Sequence, residues 1–404
     1  MNRNSLKQMI VLLIAFFVGI CLGMCNSPQV IFLAEAVSNL FIKTLKLIGV
    51  PLVFLSIIST LSSFRQIRTV LILGKKVAKY TLLTTVIAAA VGLALYILII
   101  RPQGQMLAGK IFDGSEALSA SGYLAIFANA FPDNFIKPLL EGNVIAVFVL
   151  ASLLGIASLF IAETEQDFVH RLSTALFSLL LKVAKGAVSL LPLVVTAFSV
   201  LFVKDMKLEK SISGLALYLT CIVAANLIQG IIVLPFLLKL HKISPLKVVK
   251  GVLPALVAAF FSKSSSATLP LTMELSEEKL KITPEISRFS LPLCSVINMN
   301  GCAAFILITV LFACQFNHIL FTPLELAVWV GIATLAAVGN AGVPMGCFFL
   351  SSALLSSMGV SLQILGTILP FYAFLDMIET SLNVWSDCCV TAVVDKALSR
   401  QRIN

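Results

Sequence analysis

Charge is what this chain has least of. Only 12% of its 404 residues are Asp, Glu, Lys or Arg, where a soluble domain carries about 25%. Hydrophobic residues make up 59% and mean hydropathy is +1.03, so an ordinary water-soluble globule is excluded. Histidine is scarce as well. His170, His241 and His318 are the three present, all near the ends of apolar runs. No His-Glu or Ser-His-Asp constellation shares a depth, which argues against a membrane enzyme. Cysteines occur at 21, 25, 221, 294, 302, 314, 347, 388 and 389, without zinc or iron–sulfur spacing. They read as small buried hydrophobes. The chain also lacks an aromatic-interleaved basic motif for nucleic acid and the alternating strands of a membrane barrel.

Long uncharged runs are present instead. Tyr80–Ile100, Asn143–Ala162 and Ile212–Leu238 contain no Asp, Glu, Lys or Arg. Each could cross a bilayer core, which needs roughly 20 apolar residues. Several such runs predict a helical bundle. The net charge of +10 reads as topology rather than as a nucleic-acid surface. Arg65, Arg68, Lys75, Lys76 and Lys79 share one connection, and Lys239, Lys242, Lys247 and Lys250 share another. The positive-inside bias places these, with Arg3 and Lys7 at the N-terminus, in the cytoplasm. Asn2–Cys25 resembles a signal peptide, but apolar sequence continues too far and no small-x-small cleavage site is clear. It is expected to be the first transmembrane helix.

Expected spans are Lys7–Met24, Ala36–Phe64, Val77–Ile100, Gly122–Ala130, Asn143–Ala162, Leu172–Val203 and Ile212–Leu238, all ordinary helices. Phe131-Pro132-Asp133-Asn134 breaks the chain before the fifth long helix. Asp113 and Glu116 mark a flexible connection. After residue 245 the pattern changes. Val248–Phe261 and Ala267–Leu275 are apolar arms too short to cross, around Ser262-Lys263-Ser264-Ser265-Ser266. This predicts a re-entrant hairpin, whose non-helical backbone must be buried or line a cavity. Phe289–Leu324 is interrupted by Asn298-Met299-Asn300-Gly301, a locally unwound stretch. Leu326–Leu375 is 50 residues without a charge, about 75 Å as one helix against a core of roughly 30 Å. It must fold back, at Gly339-Asn340-Ala341-Gly342-Val343-Pro344. Two short-armed segments, each followed by a long helix, form an internal repeat, the sequence pointer to a transporter binding site.

The last helix, from about Ile368 to Val394, carries Asp376, Glu379, Thr380, Asn383 and Asp387. At 100° per residue these fall on one stripe. Carboxylates at membrane depth are expensive and serve ions or substrates. An exposed cytoplasmic face is the structural alternative, opposed by apolar Phe371–Leu375 and Cys388–Val394 on either side. Carboxylate, amide and carbonyl oxygens suit a hard cation, and a carboxylate also pairs with an ammonium. Hydroxyls and free N–H groups at a hairpin tip suit a substrate carboxylate. These features favour a symporter. A channel would need rings of charge or filter carbonyls about a symmetric axis.

The motifs Ser264-Ser265-Ser266-Ala267-Thr268-Leu269-Pro270, Leu291-Pro292-Leu293, Ile297-Asn298-Met299-Asn300-Gly301, Ala341-Gly342-Val343-Pro344 and Asp376-Met377…Thr380…Asn383…Asp387 together resemble the dicarboxylate/amino acid:cation symporter (glutamate transporter) family. Val50-Pro51-Leu52-Val53-Phe54, Tyr80…Thr84-Thr85 and Glu141-Gly142-Asn143-Val144 extend the resemblance over nearly the whole chain. It implies an all-α polytopic fold of eight transmembrane helices and two re-entrant hairpins. The assembly implied is a homotrimer working by an elevator mechanism in the plasma membrane, a bacterial inner membrane. Residues 1–245 would be mostly scaffold, with helix 77–100 moving alongside the transport core 246–404. That core would comprise hairpin 248–276, helix 289–316, hairpin 324–358 and helix 361–394. No cofactor is implied beyond sodium, or a proton, as coupling ion.

The resemblance further implies a substrate site of Lys263, Ser264, Ser265, Ser266, Met299, Cys302, Val343, Pro344, Asp376, Glu379, Thr380 and Asn383. Ser265 and its hairpin tip would take the substrate α-carboxylate. Asp376 would take the amino group, with Thr380 and Asn383 alongside, and Val343 and Pro344 would belong to the gate. Asp387 and Asn383, with backbone of Cys294 and Asn298, would form one sodium site. Thr84, Thr85, Asn298 and Asn300 match a second, and backbone near Val338, Asn340 and Met299 a third. Two departures bear on substrate and ions. Acidic-substrate members carry Arg where this chain has Glu379, so a neutral amino acid is favoured and an acidic amino acid or dicarboxylate is the alternative. Lys263 could pair with Glu379 or Asp376, or restore acidic binding. Asn300 stands where an Asp is usual, removing a charge from the second sodium site, and Cys302 replaces a common Thr.

Overall fold

A computed structural model describes residues 3–63, 67–100, 134–141, 144–205, 208–317, 319, 321–340 and 345–401. Its described residues form helices and no strands. They are α1 Arg3–Met24, α2 Pro28–Ser62, α3 Ile67–Leu95, α4 Lys137–Glu141, α5 Val144–Ala157, α6 Glu163–Ser189, α7 Leu191–Asp205 and α8 Leu208–Ile228. The second half comprises α9 Leu234–Leu240, α10 Pro245–Ser262, α11 Ser265–Glu278, α12 Pro284–Ile297, α13 Asn300–Phe316, α14 Pro323–Val338, α15 Gly346–Ser357 and α16 Gln363–Gln401. The expected span Gly122–Ala130, the break at 131–133 and the connection with Asp113 and Glu116 lie outside the described residues.

Among the described residues, five helical stretches are long and apolar enough to cross a membrane: Leu73–Ile100, Gly214–Leu240, Pro245–Ser262, Pro284–Phe316 and Gln363–Leu398. Large apolar side chains such as Phe32, Leu47, Leu98 and Ile231 point outward. In water such a surface would be an association hazard; in a bilayer, hydrocarbon solvates it. The outer helices pack by close approach instead. Gly19 and Gly23, one turn apart on α1, lie against α7, where an added Cβ would come within 2.5 Å of the Thr196 carbonyl and 2.8 Å of Val203. Small residues at this spacing are how helices associate without a hydrophobic drive between them.

Several boundaries differ from those read in the sequence. Leu172–Val203, expected as one span, is two helices parted at Leu190, because Pro192 lacks the N–H that would continue the ladder and instead opens α7. Ile212–Leu238 and Val77–Ile100 are not ordinary helices throughout. Each contains a π-helical turn, at Gln229–Val233 and Tyr96–Ile100. The arm expected at Val248–Phe261 is the 18-residue α10, begun by Pro245 after Ser244, so by length it is not too short to cross. It does turn back. Lys263 adopts a left-handed conformation (φ 54°), Ser264 caps α11 by accepting from the Ala267 amide at 3.3 Å, and α11 packs against α10. The interruption in the next helix spans Asn298-Met299, and Asn300 already opens α13. The final helix runs Gln363–Gln401, beyond Ile368–Val394 at both ends and beyond 361–394 at its C-terminal end only.

Two apolar cores meet on α16. Ile364–Leu375 belongs to one, around α13 and α15. Leu382–Val394 belongs to the other, around α9, α10 and α12. The polar stripe begins at the junction, where Asp376, Glu379 and Thr380 separate them. Helix α13 is enclosed by α3, α8, α14, α15 and α16, and every residue from Asn300 to Cys314 is buried. The second fold-back ends α14 at Val338 and resumes at Met345, left-handed at φ 63° before α15. Ala341, Gly342, Val343 and Pro344 lie outside the described residues. At the start of α14, Thr322 and Glu325 form a capping box.

Candidate functional site

Asp376, Glu379, Thr380, Asn383 and Asp387 are 1–6% exposed, so the stripe faces the bundle interior and is not a cytoplasmic surface. A helix that buries three carboxyls this deeply must offer them partners or ions, since an isolated buried charge is prohibitively costly.

The stripe meets the broken segment between α12 and α13. Breaking a helix frees backbone and side-chain groups to turn inward, and here an amide cluster results. Asn298 Nδ2 donates to Asp387 Oδ1 at 3.0 Å and to Ser386 Oγ at 2.9 Å. Asn298 Oδ1 accepts from Thr84 Oγ1 on α3 at 3.2 Å and from Asn300 Nδ2 at 3.0 Å. Asn300 Nδ2 also reaches Ser386 Oγ. Its Oδ1 accepts from Gln229 Nε2 at 2.9 Å, and the same Gln229 nitrogen reaches the Thr84 carbonyl at 3.0 Å. Thr84, Asn298, Asn300, Ser386 and Asp387 are all buried. Their oxygens form a donor set suited to a hard monovalent cation rather than a soft metal.

One turn along α16, Asn383 Oδ1 accepts from the Gly301 amide at 2.9 Å. A Cβ at Gly301 would lie 2.9 Å from Glu379 Cα and 2.9 Å from Asn226 Oδ1, so glycine is what lets α13 touch α16. Further along, Asp376 Oδ2 accepts from the Met345 amide at 3.4 Å, and Thr380 Oγ1 donates to the Asp376 carbonyl at 2.7 Å. Met345, where the second fold-back resumes, is thereby held to the stripe. Lys263 sits in the left-handed turn of the first fold-back. Glu379 stands apart: both its carboxyl oxygens are buried without a hydrogen-bond partner.

The remaining expected site residues are placed unevenly. Ser265 is buried at the first tip, Ser264 serves as a helix cap and Ser266 is exposed. Met299 is buried and its carbonyl accepts from the Ala303 amide. The Cys294 carbonyl accepts from the Asn298 amide at 2.8 Å. Thr85 is buried, with its hydroxyl turned to the Thr81 carbonyl on its own helix. Val338 is half-buried at the end of α14. Asn340 is buried, its side chain donating to the Cys302 and Cys347 sulfurs. Val343 and Pro344 lie outside the described residues.

The reading of every cysteine as a small buried hydrophobe needs correction. Cys21 is exposed on α1 and Cys25 just past its end, and Cys302 is joined to Cys347 by a disulfide between α13 and α15. Sequence reasoning had no warning of this, because the two are 45 residues apart and only the fold-back brings them together. It also passed over Gln229, Asn226 and Ser386. A signal existed: two amides in the uncharged run Ile212–Leu238 are costly at membrane depth. The π turn beginning at Gln229 is itself a feature frequent at functional sites. Away from the stripe, an apolar cavity of about 660 Å³ between α8 and α16, lined by Leu219, Val223, Leu227, Pro370 and Phe374, offers no ionic chemistry.

The model of the sodium:dicarboxylate symporter family matches residues 9–397. An uncharacterized symporter of Haemophilus influenzae is 27% identical, over 91% of this chain and 86% of its own length. Excitatory amino acid transporter 2 of Homo sapiens is 24% identical, over 91% of this chain and 74% of its own. Neutral amino acid transporter B(0) of Rattus norvegicus is 31% identical over a shorter match, 47% of this chain and 34% of its own. A match to the family model from residue 9 to residue 397 leaves one conclusion: the chain belongs to the sodium:dicarboxylate symporter family.

Proposed function

We propose that this symporter couples inward sodium flow to uptake of a small neutral amino acid. The observation that carries the substrate reading is Glu379, buried to 1% exposure with both carboxyl oxygens unpartnered. An acidic substrate side chain brought beside it would set two carboxyls together in a dry pocket, where either the charges repel or one group must hold a proton, a penalty of several kcal/mol. A neutral side chain meets no such penalty. Asp376 would receive the substrate ammonium, exchanging its contact with the Met345 amide for a charged partner. Ser265 at the first tip would receive the α-carboxylate.

The oxygen cluster of Asp387, Asn298, Thr84 and Ser386 would hold the coupling ion. Asn300 supports a smaller ion count than an aspartate would allow. Its Nδ2 donates into Asn298 Oδ1 and Ser386 Oγ, where an aspartate would bring a further acceptor and a charge for a second cation. We read residues 1–245 as mostly scaffold and 246–404 as the moving core, in a homotrimeric elevator of the plasma membrane with the basic connections in the cytoplasm.

Uptake of labelled serine into proteoliposomes under an inward sodium gradient tests this reading, with unlabelled serine, threonine, alanine, glutamate, aspartate and succinate as competitors. Competition by the neutral amino acids is expected. Competition by the acids alone, or flux without a gradient, would sink it.

A further inference from the structure

Three helices bring a second donor set together beside the stripe, and its chemistry is soft rather than hard. Sulfurs of Cys302 and Cys347 and a carboxyl oxygen of Glu379 lie within 4.8 Å of one another. The three residues are 2%, 2% and 1% exposed. Cys302 is in the first turn of α13, Cys347 in the first turn of α15, and their Cα atoms are 5.4 Å apart. Asn340 Nδ2 lies 3.0 and 3.5 Å from the two sulfurs, while its Oδ1 has no hydrogen-bond partner. So a buried carboxyl and a buried amide oxygen are both unsatisfied at the edge of a cysteine pair. Each such group costs free energy if left alone. The disulfide supplies neither with a donor or a cation.

We propose that in the dithiol form Cys302, Cys347 and Glu379, with Asn340 Oδ1 as fourth ligand once its amide turns over, bind one soft divalent cation of the zinc class. Thiolate selects zinc over sodium, magnesium or calcium, and two sulfurs with two oxygens can make a closed tetrahedron. A phosphine or dithiol reductant supplies two electrons and solvent supplies two protons. The S–S bond breaks and two thiols form. On binding, each thiol returns its proton to solvent. One dication enters as two protons leave, so the cluster's net charge is unchanged while Glu379 gains a cationic partner. Zinc–sulfur bonds of about 2.3 Å put the sulfurs about 3.8 Å apart, within reach of side-chain rotation at the observed Cα separation. This site shares no ligand with the oxygen cluster around Asp387 and does not depend on the substrate reading.

The test uses the full-length purified protein, reduced with a phosphine and titrated with cobalt(II), whose thiolate complexes absorb by charge transfer. One cobalt per chain is expected with that absorption, displaced by zinc. The band should vanish in the double variant Cys302→Ser/Cys347→Ser. Glu379→Gln should keep the band but weaken binding at least about tenfold, a loss of about 1.4 kcal/mol. No band in the reduced wild type overturns the proposal, as does an undiminished band in the double variant, which would locate it on the other seven cysteines. Should the double variant aggregate, Cys347→Ser alone should clearly weaken the band, and an unaltered band counts against the site.

Discussion

Asn298 on the broken segment between α12 and α13 donates to Asp387 on α16 at 3.0 Å, tying the stripe's last carboxyl to the point where a helix is interrupted. Neither partner could be elsewhere. The helix must unwind for Asn298 to face inward, and Asp387 must lie on the buried face of α16 to receive it. Hydrogen bonds to a charged group contribute about 1.5–3 kcal/mol. Asp387→Asn is therefore expected to raise the sodium concentration needed for half-maximal uptake about tenfold or more. The measurement is uptake against external sodium in proteoliposomes, and an unmoved sodium curve would refute the role.

Asn300 donates where an aspartate would accept. Asn300→Asp removes the bonds from Nδ2 to Asn298 Oδ1 and Ser386 Oγ and adds a negative charge that favours a cation. A steeper sodium dependence of uptake is expected, visible as a larger Hill coefficient, together with greater thermal stabilisation by sodium. A variant as shallow as the parent would show that Asn300 does not limit the ion count.

On the proposed reading, Glu379 sets the sign of charge beside the substrate. Glu379→Arg is expected to exchange the preference, so that aspartate or glutamate competes for uptake and serine loses at least about tenfold in affinity. Competition assays on the purified variant decide it. An unchanged competition profile would remove Glu379 from substrate selection.

Gly301 allows the contact between α13 and α16. A Cβ there would meet Glu379 Cα and Asn226 Oδ1, each at 2.9 Å, and neither backbone nor a buried amide can yield cheaply. Overpacking of this kind costs about 1–3 kcal/mol. Gly301→Ala should lower the melting temperature of the detergent-solubilised protein and depress uptake. Gly186→Ala, with nothing within 4 Å of its added Cβ, is the matched control.

The wild-type protein gives the simplest ligand test. A ligand bound by the folded state alone raises its apparent stability, by about 2.7 kcal/mol at a hundredfold excess over Kd. Sodium with serine should raise the melting temperature more than either alone, and sodium with glutamate should add little. Stabilisation by glutamate equal to that by serine would reverse the substrate assignment.

Much of this was determined by sequence alone, for local reasons. Uncharged runs demand a bilayer, a 50-residue uncharged stretch cannot be one helix, and Asn298-Met299 cannot sit in an unbroken one. The 100° period placed Asp376, Asn383 and Asp387 on one face before any packing was known. Other features needed the folded chain because they join distant segments. Gln229 meets Asn300 across 71 residues, and Cys302 meets Cys347 only because α14 and α15 turn back beside α13. The two sulfurs, the stranded carboxyl of Glu379 and the amide network around Asn300 are products of helix packing. A linear pattern records which face a residue occupies, whereas packing decides what lies opposite that face.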